Sequence, residues 1–281
     1  MWKRTVLYEQ AVYGNFPFWS RGYGLLAHSA KCEPDWLAAL KLACQRFGER
    51  PRECADNLGF FAIPQPDGPC MIVGVFPNGR DDQGRPGALV FHALFIPPRA
   101  YRKAGYDPFP FVEGLRCDWS SEEIDTVLPT GTINVSCEPL CDKQPDRLVE
   151  EIARAINGQK KVIVPSLTPI DPLARSVWNL LPVRVRKRAS MATFAYDNGN
   201  RFDLVALPGR RSAELAVSRD PACVMIDAHD YPDSRSSPDH EKGKPTKPGD
   251  LNDDPPRSPR LFRRFLRSIT PLLLAISFQN A

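Results

Sequence analysis

Histidine is scarce. The 281 residues contain four, His28, His92, His229 and His240, which leaves little material for metal ligation or acid–base work. Excess charge is also missing: 37 Lys and Arg stand against 33 Asp and Glu, a net +4, too small to imply nucleic-acid binding by itself. Four chemical signatures are absent. There is no phosphate loop of the GxxxxGK[ST] kind (Gly243-Lys244 lacks the partner glycine), no GxSxG elbow, no HExxH and no GxGxxG. No repeat of fixed period runs through the chain. These absences remove the common nucleotidase, serine-hydrolase, zinc-protease and dinucleotide-binding readings. They leave no metal and no cofactor to expect.

Cysteine is present without a pattern. Eight residues are spread over the chain, and the opening segment lacks the apolar region of a signal peptide, so reduced thiols and a cytoplasmic setting are expected. Cys137 and Cys141 have the spacing of half a zinc site, but no second close Cys/His pair follows.

Proline is abundant, 29 residues, roughly twice its usual ~5% share. Interior prolines break helices, so a chain made mostly of long helices is excluded. Apolar runs separated by short turn signals fill residues 1–229. Val6–Tyr13, Gly22–Ser29, Gly59–Ile63 and Cys70–Phe76 read as strands. Ala88–Ile96, almost wholly apolar, reads as a central strand covered on both faces. Helices are expected over Pro34–Phe47, Pro97–Ala104, Trp119–Val127 (with Ser120 and Glu123 in capping-box spacing), Asp146–Ile156 and Asp171–Leu181. Val162–Val164 and Ala222–Ile226 read as short strands, and Ser190–Tyr196 with Phe202–Leu207 as a hairpin around Asp197-Asn198-Gly199-Asn200. Together these predict an α+β fold with a mixed, mainly antiparallel sheet and inserted helices. Residues 230–260, rich in proline and charge and poor in large apolar side chains, read as a disordered linker.

Residues 261–281 form an apolar tail. Arg260, Arg263, Arg264 and Arg267 recur at helical spacing, with Leu261, Phe262, Phe265, Leu266 and Ile269 between them. Ile269–Phe278 is far short of the ~20 residues that span a bilayer. The expectation is a basic amphipathic helix that either docks on the folded domain or in a partner's groove, or lies in the headgroup region and contacts the membrane through Arg263, Arg264, Phe265 and Arg267.

His92 stands mid-strand, with Val90, Leu94 and Ile96 on its face. It reads either as a core histidine with satisfied hydrogen bonds or as a ligand contact or general base. Gln10, Tyr13 and Ser29 are its candidate neighbours. Adjacent His28 and Ser29 point to opposite faces of a strand and cannot pair with each other. Arg184-Val185-Arg186-Lys187-Arg188 sits in a stretch, Pro172–Tyr196, without any acid. It reads as a solvated edge or as a surface for an acidic partner or phosphate. On a strand, Arg184, Arg186 and Arg188 would share one side.

Several ordered segments carry a resemblance. They are Glu9-Gln10-Ala11-Val12-Tyr13-Gly14 with Gly22-Tyr23-Gly24-Leu25-Leu26-Ala27-His28-Ser29; Gly87-Ala88-Leu89-Val90-Phe91-His92-Ala93-Leu94; and Leu180-Leu181-Pro182 with Arg188-Ala189-Ser190-Met191-Ala192-Thr193-Phe194. As a set, over about residues 5–210, they resemble the N-terminal domain of bacterial GTPase-associated protein 1, nearer its type 2 form. The resemblance implies a non-enzymatic adaptor working beside a GTPase-type NTPase in a conflict or immunity system. No established catalytic residues come with it. A hydrolase or nucleotide-processing enzyme with a pocket around His92, Ser29 and Gln10 is the alternative. No specific nucleic-acid partner is expected.

Overall fold

A computed structural model describes residues 2–16, 22–49, 59–137 and 146–231. Cys54, Cys141, the linker beyond Tyr231 and the tail with Arg263, Arg264, Phe265 and Arg267 lie outside them. The organising element is β5, Leu89–Ile96, every residue of which is buried. Such a strand needs partners on both edges and cover on both faces. Its antiparallel partners are β4 (Cys70–Pro77) and β1 (Trp2–Gly14). β3 (Gly59–Pro64) extends the sheet beyond β4. β1 is long enough to serve two sets of neighbours: Trp2–Tyr8 pairs with β7 (Gly131–Cys137), and Ala11–Gly14 pairs with β2 (Gly24–Ser29).

The two faces of this antiparallel block are covered differently. α1, Pro34–Gln45, begins on a proline at its first turn, where the missing N–H costs nothing. It and Phe47 close one face, with Trp36 on Phe95 (ring centroids 5.6 Å apart) and Phe47 on Phe91 (5.5 Å). The other face is covered by residues 109–128, in which two 3-10 turns, Phe109–Gly114 and Ser121–Glu123, frame Leu115, Trp119 and Ile124. The capping box of Ser120 and Glu123 forms in both directions. The expected helix over Trp119–Val127 nevertheless stops after one turn. Asp125 takes a left-handed backbone (φ 61°), and Val127–Leu128, β6, pairs in parallel with β2 instead.

The C-terminal part is parallel. β8 (Lys161–Ser166), β9 (Met191–Ala192), β10 (Leu204–Pro208) and β11 (Cys223–Met225) run in one direction, and β9 joins them to antiparallel β3. The path across the sheet is β11-β8-β10-β9-β3-β4-β5-β1-β2-β6, with β7 beside β1. Three helices accompany this part after α2 (Pro98–Lys103): α3 (Arg147–Asn157), α4 (Asp171–Leu180) and, after the short α5 (Val183–Arg186), α6 (Gly209–Arg219). α3 follows its sequence signals: the Asp146 carboxylate accepts from Leu148 N–H, and Gly158 ends the helix.

Two further local expectations are corrected. Residues 190–207 are not a hairpin, because β9 and β10 are parallel. The Asn198 side chain accepts from Phe202 N–H, and Asn200 Nδ2 donates to the Ala43 carbonyl of α1 at 2.8 Å. The turn residues thus anchor a long arch to a helix end rather than reversing the chain. Nor do Arg184, Arg186 and Arg188 alternate on a strand. Pro182 starts a helical turn, its carbonyl accepting from Val185 and Arg186 N–H. At helical spacing Val185 and Ala189 turn inward, while Arg184, Lys187 and Arg188 turn outward.

Candidate functional site

The sheet brings Gln10, Ser29 and His92 together and separates Tyr13 from them. In the β1–β5 register Val12 faces His92 and Tyr13 faces Phe91. Since strand side chains alternate, Gln10 and His92 share the face under Trp119. Tyr13 lies on the α1 face, stacked on Tyr23 with ring centroids 6.3 Å apart.

His92 is fully buried, and both ring nitrogens are engaged. Its Nδ1 accepts from Arg116 N–H at 3.0 Å, which places the ring proton on Nε2; that N–H donates to Gln10 Oε1, also at 3.0 Å. Gln10 Nε2 donates onward to the Pro129 carbonyl at 2.8 Å. Ser29, also fully buried, donates to the same carbonyl at 3.2 Å and accepts from Gln10 N–H at 3.0 Å. Gln10 therefore stands between His92 and Ser29, and no direct histidine–serine pair exists. Beneath it the Cys32 thiol donates to the Gln10 carbonyl at 3.5 Å, and burial pushes that thiol up to about 11, so it stays protonated.

Charge at His92 is strongly disfavoured. Burial, followed by the positive Arg116 nearby, lowers its pKa to about 3, with Asp118 opposing weakly. Protonating Nδ1 would also set it against the Arg116 N–H. The neutral ring has one lone pair, and that amide uses it. In this arrangement the ring has no lone pair to offer a substrate as a base.

Arg116 also builds the cover. Its guanidinium lies over the Trp119 ring at 4.1 Å and bridges to Glu123 (Nη1–Oε1 2.9 Å, Nη2–Oε2 3.2 Å). Trp119 stands edge-on to His92, with centroids 4.9 Å apart. Opposite His92, Gly74 leaves room for the Phe76 ring, which lies 2.7 Å from where a Cβ would be. Arg116, Trp119 and the Pro129 carbonyl were not signalled by the sequence. The Ser120/Glu123 box was the only nearby cue.

Among the described residues, cavities of about 410, 290 and 360 Å³ open elsewhere on the surface, and Gln10, Ser29 and His92 line none of these. Among the described residues no group of three or more His, Cys, Asp or Glu side chains is placed to hold a metal ion.

The basic run lies far along the sheet path, after α4. Arg184, Lys187 and Arg188 are exposed and form no ion pair among the described residues. Beside them Leu180 and Val183 are 42% and 53% exposed. Arg186 is different: half-buried, with Nε buried and without a hydrogen-bond partner, it leans on the turn at Gly105 and Asp107. Burial raises the Asp107 carboxyl, while Phe109 N–H, Arg175 and Arg186 pull it back. In comparison with known proteins, no family model and no curated protein matches the chain.

Proposed function

We propose that this protein is a non-enzymatic interaction module that works with a GTPase-type NTPase, the partner engaging the α4–α5 corner through an acidic surface. The observation that carries the reading is that corner. It holds three exposed cations, without an ion pair among the described residues, beside two exposed aliphatic side chains, in a stretch of 25 residues (Pro172–Tyr196) without an acid. An apolar centre with a charged rim is the usual make-up of a protein–protein contact. The saturated His92 network supports the same reading from the other side, because its polar groups are spent on holding the fold. The ordered set of segments resembling the GTPase-associated domain names the class of partner.

The test is capture of a purified GTPase-type NTPase from the same genome by the full chain. Arg184→Glu/Lys187→Glu/Arg188→Glu is expected to weaken capture at least tenfold and to make the residual binding insensitive to salt. Capture unchanged by the triple reversal overturns the proposal. In the same reading the protein is cytoplasmic, with residues 261–281 touching the inner face of the membrane. No described helix is long and apolar enough to cross a membrane. Co-sedimentation with anionic vesicles is expected for the full chain and lost for a chain ending at Pro259; equal sedimentation of the two removes the membrane contact.

A further inference from the structure

The cavity between α2 and the β1–β7 ribbon has a different character from the basic corner. In the ribbon Arg4 stands opposite Val135. Directly opposed residues of an antiparallel pair share a face, so Arg4 projects over the side that Val135 and Val6 bury. Along most of that side the turn Phe109–Gly114 is packed down tightly, with Gly114 so near the ribbon that a Cβ there would lie 3.3 Å from Ile133 Cδ1. At the Arg4 end this cover thins and a cavity of about 290 Å³ remains.

Its floor is apolar: Phe111 and Val135 are buried. Its rim is cationic. Arg99 and Lys103 are four residues apart on α2, hence on one side of that helix, and Arg4 lines the same cavity from β1. No acid lines the cavity, and none of the three cations forms an ion pair among the described residues. Like charges at this spacing repel one another.

We propose that this cavity binds a small organic phosphate monoester, with the phosphate between Arg4, Arg99 and Lys103 and the apolar body on Phe111 and Val135. Two arginine forks and an ammonium suit the several oxygens and double charge of a phosphate monoester better than a singly charged carboxylate. The volume lies at the bottom of the ~300–1,000 Å³ range of ligand cavities, which fits one aryl or short alkyl body and excludes a dinucleotide. The proposal does not depend on the adaptor reading, whose surface is the α4–α5 corner.

The experiment is calorimetric titration of the full chain with phenyl phosphate. Saturable binding is expected, weakened at least tenfold in Arg99→Glu/Lys103→Glu and unchanged in Arg184→Glu/Lys187→Glu. Both positions of the first variant are exposed, and its melting temperature confirms folding. Failure to saturate, equal binding by Arg99→Glu/Lys103→Glu, or binding as tight by inorganic phosphate or phenylacetate overturns the proposal. Competition then identifies the source. Displacement of phenyl phosphate by phosphatidic acid vesicles, and not by phosphatidylglycerol vesicles, assigns the ester to a lipid headgroup. Displacement by soluble phosphate esters alone assigns it to a free metabolite. Both results support the site.

Discussion

The region around His92 and the α4–α5 corner treat polarity in opposite ways. Under Trp119 the sheet buries a histidine, a glutamine and a serine and answers them with hydrogen bonds, to each other and to two backbone groups, Arg116 N–H and the Pro129 carbonyl. At the corner Arg184, Lys187 and Arg188 stand in water without acids. A buried polar group without a partner costs about 1–3 kcal/mol, so the first region must be complete for the fold to persist. An exposed charge is solvated and costs little, so the second can remain unpaired until another molecule arrives. Stability therefore concentrates in the network, and the corner is the place we propose for recognition.

The largest expected effect comes from breaking the network. His92→Ala removes a fully buried ring, leaves Gln10 Oε1 without its donor and Arg116 N–H without its acceptor, and opens a cavity beside Trp119. A loss of about 3–5 kcal/mol is expected in denaturant unfolding, in line with other large-to-small core changes. A loss below about 1 kcal/mol would mean that residues 115–129 are held to the sheet by other contacts.

Acid should act on the same histidine with a definite sign. Above pH 6.5 the ring is neutral in both folded and unfolded chains and contributes no slope. Between 6.5 and about 3 the unfolded chain takes up a proton that the folded one refuses, so stability falls with falling pH. The slope from this group approaches about 1.4 kcal/mol per pH unit, and it ends below about 3, where both states are protonated. His92→Gln removes that contribution. The difference between wild type and variant should therefore shrink as pH drops from 6.5 towards 4, measured by urea unfolding at each pH. A constant difference would show that His92 titrates normally in the folded chain.

What could be read in advance follows from how local each interaction is. β5 was legible because eight apolar or core positions in a row leave little choice, and α3 because its cap and its stop are sequence neighbours. Gln10, Ser29 and His92 were legible as polar residues inside apolar strands. Their partners were not: Arg116 N–H and the Pro129 carbonyl are backbone groups, which any residue type would supply. α6 went unread because its buried side is Ala213 and Ala216; small residues give no hydrophobic period, although they let the helix pack closely. Residues 190–207 read as a hairpin because Asp197-Asn198-Gly199-Asn200 carries a turn signature; what overrides it is distant in sequence, the Asn200 side chain being spent on the Ala43 carbonyl.

The smallest expected effect is at the corner itself. Arg184→Glu/Lys187→Glu/Arg188→Glu changes three side chains that touch no acid among the described residues and cap no buried group. Unfolding free energy should move by no more than about 0.5 kcal/mol, as for other surface substitutions. Reversal can even relieve the crowding of like charges. Arg186 is the internal control. Its guanidinium leans on the turn at Gly105, beside Asp107, so Arg186→Glu should destabilise more than the three outward reversals together. If Arg186→Glu is neutral and the outer triple reversal is costly, the corner is part of the scaffold. The distinction between a region that must be satisfied and one that waits to be satisfied would then fail.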